Sequence, residues 1–205
     1  MHLKKNIAIF MTEDKNIKEY TYKQVFIRLK NILIHPVSEW KIINTENHNN
    51  NETLSGSFIL LAMCALTRFL SVLFSLQEVN YEPAMKHAII VFSYLFGGMY
   101  LTYFVMKFVV SYFLGSRQDS KVFKIVIFSA TPLFLVNIIV NLVPELFLIY
   151  IFSLYGFYIA YTGFRELYGT KIKQSINIGM ITILALLLFS FLIRVLFFTI
   201  LSIHA

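Results

Sequence analysis

Arg68, Lys107 and Arg194 stand inside long apolar runs, and no other residues of this sequence are better placed to do chemistry. A charge at membrane depth costs a few kcal/mol on insertion scales, so it marks a candidate site that pairs with another charge or holds an anion. Lys107 is less than about two turns from the end of its run, where its ammonium can snorkel to the interface. Arg68 is near the middle of the first run and Arg194 in the outer half of the last. Neither has an acid at equal depth; Glu78, Glu82 and Glu145 are the nearest on the outer side. Partners could instead be carbonyls freed by Pro132, lipid phosphates, or the amides of Asn137 and Asn141. These two asparagines are four apart and share one helical face, which reads first as hydrogen-bonding glue between helices and second as ligand contact. Arg68, Asn137, Asn141 and Arg194 therefore make up the expected intramembrane polar site.

Enzymatic chemistry finds no support. The sequence has no HExxH, GxSxG, P-loop or GxGxxG pattern. His2, His35, His48, His87 and His204 are scattered without metal-ligand spacing. No span contains a carboxylate pair for an aspartyl protease, nor the titratable acid that proton-coupled transport commonly uses. Cys64, the single cysteine, lies in an apolar run and reads as a small core hydrophobe. We expect no catalytic residue, no cofactor and no metal.

The elements that must position the polar residues follow from composition. Of the 205 residues, 58% are hydrophobic and 14% charged, with mean hydropathy +0.69; a soluble domain has about 45–50% and about 25%. Apolar runs long enough to cross a bilayer occur at 57–76, 87–114, 123–143, 144–164 and 176–203. The fold class expected is all-α, a five-span membrane domain over 57–205 preceded by a cytoplasmic segment over 1–56. The short apolar stretch at 7–11 runs into Thr12-Glu13-Asp14-Lys15 and does not read as a signal peptide. The formal charge of +7 could suggest nucleic acid, but the positive residues fall where a membrane protein keeps its cytoplasmic charges. Lys4, Lys5, Lys15, Lys18, Lys23, Arg28, Lys30 and Lys41 precede the first span; Lys86 alone lies in the first loop; Arg117, Lys121 and Lys124 follow span two; Arg165, Lys171 and Lys173 follow span four. The turn Val143-Pro144-Glu145 and the C-terminal tail have none. This alternation puts the N-terminus in the cytoplasm and the C-terminus outside.

Within the N-terminal segment, helical projection over 21–34 gathers Tyr22, Val25, Phe26, Leu29, Ile32 and Leu33 on one face, with Lys23, Arg28 and Lys30 beside it. Such a helix lies in the membrane interface, where those three basic residues would contact anionic lipid, or packs on the ends of the spans, and the two are compatible. Pro36 ends it at His35, and residues 44–52 read as a polar linker. In span four Gly156, Ala160 and Gly163 share a face that lets another helix approach, as Gly97-Gly98 does in span two. Pro132 is expected to kink span three. Tyr150, Tyr155, Tyr158 and Tyr161 crowd span four, and the central ones need partners for their hydroxyls.

Three motifs give a family resemblance. Residues 32–46 contain Pro36, Trp40, Ile43 and Glu46 in the spacing found ahead of the first span in bacterial members of the Yip family, the Ypt-interacting-protein-like membrane proteins. Ser129-Ala130-Thr131-Pro132 resembles that family's opening of the third span, and 155–168, ending Gly163-Phe164-Arg165-Glu166-Leu167-Tyr168, its fourth span and following loop. The resemblance implies a cytoplasmic N-terminal region and a compact five-helix domain. Eukaryotic relatives are associated with Rab-type GTPases and vesicle membranes; the aspartate-leucine-tyrosine-glycine-proline motif many of them carry is absent here.

Two functions are consistent with these residues. The first is a non-enzymatic adaptor or membrane-organising protein in a bacterial cytoplasmic membrane, engaging anionic lipid and a protein partner through its N-terminal segment. The second is a small transporter or channel for an anion or lipid headgroup, with Arg68 and Arg194 lining the path, across a homo-oligomer. Whether those arginines turn to the bundle interior or to lipid discriminates between them.

Overall fold

The structure, a computed structural model, describes residues 26–45, 50–75, 81–115 and 118–203, with side chains from 56 and up to 200 for the first and last spans. Helix α1 covers residues 26–34, α2 Pro36–Thr45, α3 Asn50–Ser75, α4 Tyr81–Leu114, α5 Asp119–Leu142, α6 Tyr155–Tyr168 and α7 Ile172–Ile203; a 3-10 helix over Pro144–Leu154 joins α5 to α6. Among the described residues there is no strand. Five segments are long and apolar enough to span a membrane: Gly56–Ser75, Tyr81–Leu114, Asp119–Leu142, Pro144–Tyr168 and Ile172–Ile200.

Helix α5 is the axis of the bundle. It is apolar nearly all round, as a helix surrounded by others must be, and it packs against α3, α4, α6, α7 and the 3-10 segment. Val122, Ile125, Val126, Ile127, Phe128, Ala130, Leu133 and Phe134 are all buried. The outer helices instead turn Phe74, Phe108, Leu148 and Phe191 outward, as lipid contact allows. Glycine sets the closest approaches. A Cβ on Gly98 of α4 would collide with the backbone and hydroxyl of Ser190 on α7, and one on Gly156 with the Ser129 carbonyl on α5. The small residues expected to admit a neighbour thus admit helices of the same chain.

Several boundaries differ from the sequence expectation. Helices α4, α5 and α7 begin at Tyr81, Asp119 and Ile172, because a helix continues into polar residues that no hydropathy window counts. The span at 144–164 is only half α-helical. Pro144 occupies its first turn, where a missing N–H costs nothing, and the 3-10 form carries the chain to Leu154. With about 2.0 Å rise per residue against about 1.5 Å, 3-10 geometry lengthens this short span. Three residues per turn also put Tyr150, Ser153 and Gly156 on the inward face while Leu148, Ile151 and Leu154 point outward. Helix α5 runs without interruption through Pro132.

The N-terminal helix meets its expectation in part. Residues 21–25 lie outside the described residues, α1 ends at Ile34, and α2 occupies most of the stretch between it and the start of α3 at Asn50, where no helix was expected. Asn44 and Thr45 belong to α2, and Asn50 already begins α3, so the linker is shorter than 44–52.

Candidate functional site

Two regions at opposite ends of the bundle concentrate the polar and aromatic groups. At one end α1 and α2 are bound to the spans. Leu29, Ile32, Trp40 and Ile43 are buried. The Trp40 ring is clamped between Phe128, edge to face at 5.5 Å, and Gly163, whose missing side chain leaves the space the indole fills. Its Nε1 donates to the Ile159 carbonyl at 3.1 Å. The Tyr155 hydroxyl donates to the Leu33 carbonyl at 2.9 Å, and the Asn44 amide to the Glu166 carbonyl at 3.3 Å.

The outer face of this helical pair exposes Phe26, Ile27, Ile34, Val37 and Ile42, with Lys30 and Lys41 also exposed. The inward face is therefore Leu29, Ile32 and Leu33, while Phe26, expected beside them, points away. Of the three basic residues expected at lipid, Lys30 is exposed and Lys23 lies outside the described residues. Arg28 turns to Glu39, Nε to Oε1 at 3.7 Å, and its side chain is only 21% exposed. This pairing was not legible in the sequence, because the two residues are eleven positions apart and meet only through the break between α1 and α2 at His35.

Lys121, Lys124, Arg165, Lys171 and Lys173 gather at this same end, where the Lys121 ammonium donates to the Leu167 carbonyl at 2.7 Å and the Tyr168 hydroxyl to the Gln118 carbonyl at 3.1 Å. Lys107 does not reach for the interface alone. Its Nζ stands 2.6 Å from Oδ2 of Asp119. The short connection after Leu114 folds the start of α5 back beside α4, which brings in an acid that the sequence reading left out.

At the other end lies a cavity of about 170 Å³. Arg68 of α3 and Arg194 of α7 both line it, together with His87 and Tyr94 of α4, Asn141 of α5 and Tyr150 of the 3-10 segment. The arginines thus share one site with Asn141, Arg68 half-buried within it and Arg194 exposed at its rim. Helical side chains lean toward their own N-terminus, which draws Arg194 inward from the end of α7. Its guanidinium lies over the rings of Tyr94 and Phe198, 5.8 Å and 5.9 Å from their centroids, contacts that favour and orient a cation.

The floor of the cavity is a closed hydrogen-bond network. The Tyr94 hydroxyl donates to Oδ1 of Asn137 at 2.6 Å and the Tyr150 hydroxyl to the same oxygen at 3.2 Å. The Asn137 amide donates to the Leu133 carbonyl at 2.8 Å, and that of Asn141 to the Cys64 carbonyl at 3.2 Å. Asn137 is 1% exposed, and a buried amide must be satisfied in this way. The two asparagines therefore differ. Asn137 is the keystone beneath the site, while Asn141 joins α5 to α3 at its wall. Tyr94 and Tyr150 are the site residues that sequence reasoning missed; the spacing from Asn137 to Tyr150 carries no signal until the 3-10 geometry turns the tyrosine inward.

Among the described residues no group of histidine, cysteine and acidic side chains is arranged to hold a metal ion.

Comparison with known families settles the ancestry of this arrangement. The Yip1 domain matches residues 30–193, from α1 to the last turns of α7. The chain belongs to the Yip family. The match takes in Trp40, Gly163 and the cavity residues from Arg68 to Tyr150, and ends one residue before Arg194. No curated protein and no solved structure matches the chain. A Yip-family chain with five spanning helices is a multi-pass membrane protein.

Proposed function

We propose that this Yip-family chain is a non-enzymatic membrane-organising protein that uses α1 and α2 as a platform on the cytoplasmic face of a bacterial inner membrane. The observation that carries the reading is the two-sided character of that pair. One side is fastened to the core by Trp40 and Ile32. The other exposes five large apolar residues interleaved with Lys30 and Lys41. Apolar bodies flanked by lysines are the chemistry of a helix seated at an anionic lipid surface. The orientation is supported by the gathering of the loop lysines and arginines at the same end. A protein partner docking on the basic loops is compatible with this platform.

The test uses the full chain in vesicles, with an environment-sensitive fluorophore on a cysteine at Ile34 in a Cys64→Ser background. Lipid-borne quenchers should reach the probe, and more strongly when the vesicles contain anionic lipid. Replacing Lys30 and Lys41 by glutamine should reduce that lipid dependence. A probe that only aqueous quenchers reach, whatever the lipid, removes the membrane platform. Deleting residues 1–34 is the wrong variant, because it strips Leu29 and Ile32 from the core.

A channel or transport path through Arg68 and Arg194 is the weaker second reading. The Asn137 network closes the cavity on its inner side, and below it Phe134, Ala130 and Ser129 are buried. A closed floor supports a place of binding over a pore.

A further inference from the structure

Arg68 and Arg194 line one cavity, and among the described residues no carboxylate lines it with them. Neither guanidinium is ion-paired to a described acid: Glu39 meets Arg28, Glu82 meets Lys86, Asp119 meets Lys107, and Glu145, next to the lining residue Pro144, is exposed and not part of the lining. Two like charges facing one small space repel each other, and each is costly at membrane depth. The aromatic rings beside Arg194 attract its charge without neutralising it. A counter-charge that enters the cavity removes both penalties.

We propose that the Arg68–Arg194 cavity is a binding site for a phosphate-type oxyanion, with a membrane lipid headgroup or a soluble phosphate as its source. Guanidinium forks match phosphate oxygens in pairs of hydrogen bonds, and two of them suit a group of more than one negative charge. His87 and the hydroxyls of Tyr94 and Tyr150 add polar groups around the same space, and Ile90 and Val91 complete an apolar wall. The volume, about 170 Å³, is below the roughly 300–1,000 Å³ of pockets for drug-sized molecules, so it takes a small charged group and not an extended ligand.

Depth and access fit a group arriving from the bilayer. Arg68 precedes the end of its span at Ser75 by two turns, roughly 10 Å at helical rise, and Arg194 lies at a similar distance from Ile200. For the last span, whose 29 residues exceed a hydrocarbon core of about 30 Å, that is near the headgroup boundary, while in the 20-residue first span it puts Arg68 about 10 Å inside the core, where a counter-charge matters most. Around Arg194, the side chains of Leu192, Val195, Leu196 and Phe198 are exposed on α7, so the rim of the site faces lipid. This site is at the opposite end from α1 and α2 and stands independently of the platform reading.

The experiment is native mass spectrometry of the full chain from mild detergent, offered phosphatidic acid or diacylglycerol, which differ by the phosphate alone. A parallel thermal-shift series uses inorganic phosphate. The intact chain should retain phosphatidic acid and not diacylglycerol. Arg68→Gln and Arg194→Gln should each lower retention about tenfold or more, Arg194→Lys less, and Lys86→Gln, on the exposed Glu82 pair, not at all. If inorganic phosphate raises Tm in the intact chain but not in Arg68→Gln, and the lipids are not distinguished, the site stands with a soluble oxyanion as its source. Equal retention of both lipids by the intact chain, with no phosphate effect on Tm, overturns the proposal, and this readout holds even where the glutamine variants do not fold. Equal retention of phosphatidic acid by the intact chain and by folded glutamine variants overturns it as well.

Discussion

The indole Nε1 of Trp40 and the carbonyl of Ile159 are joined at 3.1 Å across 119 positions of the chain. The bond fixes α2 on α6 and carries α1 with it, since the two helices are separated only by His35. Trp40→Phe removes the donor but keeps most of the ring, and should cost about 1–2 kcal/mol. Trp40→Ala empties a fully buried site and should cost about 3–5 kcal/mol. Thermal unfolding in detergent measures both. Limited proteolysis supplies the specific sign: cleavage at Lys30 and Lys41 should accelerate in Trp40→Ala before the spans unfold.

Gly163 is the other half of that contact. A Cβ there would sit 2.9 Å from Cζ2 of Trp40 and 3.1 Å from Cγ1 of Ile125. The indole cannot retreat without breaking its hydrogen bond, so Gly163→Ala should destabilise the intact chain by about 1–3 kcal/mol, the range for overpacking. In a Trp40→Ala background the added methyl has room, and the cost should shrink or change sign. A double-mutant cycle measures that coupling; additive penalties would show that Gly163 matters for some reason other than the tryptophan.

Asn137 receives two tyrosine hydroxyls on one oxygen. Asn137→Leu keeps the approximate volume but leaves Tyr94 and Tyr150 without their acceptor, an expected loss of about 1–3 kcal/mol per stranded group. Tyr94→Phe and Tyr150→Phe should each cost less, and more than additively together, because either hydroxyl alone can keep the amide oxygen satisfied and only the double variant strands it. Unfolding midpoints of the four variants decide this.

The spans, their number and the charge asymmetry of the two ends were legible because hydropathy and charge are local properties of the sequence. The family was legible from Pro36, Trp40 and the motif ending at Tyr168, which the Yip1 match over 30–193 confirms. The helix α2 was not. Its inward residues, Pro36, Glu39, Trp40 and Ile43, include a proline and an acid, so no apolar stripe announces it. Arg68 and Arg194 were singled out by their cost, and the cavity they share follows from the approach of α3 and α7 around α4. Tyr94 was not singled out, and Tyr150 was noted only as one of four tyrosines in span four, because a tyrosine in an apolar run resembles any other until a partner is placed opposite it.

Lys107 and Asp119 give the last prediction. Their ion pair at 2.6 Å ties α4 to the first turn of α5, and both side chains are partly exposed, 33% and 52%. Asp119 also occupies the first turn of a helix, where a negative charge is favoured. Asp119→Asn loses both effects, whereas Lys107→Met loses only the pair and removes a charge from an apolar run. Asp119→Asn should therefore lower Tm more than Lys107→Met, and adding Lys107→Met to Asp119→Asn should recover part of the loss, since the stranded ammonium is gone. The cavity of Arg68 and Arg194 lies at the opposite end of α4, so retention of phosphatidic acid should be the same in all three variants. A change in that retention would mean that the two ends communicate through α4, a coupling that its packing against both α5 and α7 would have to transmit.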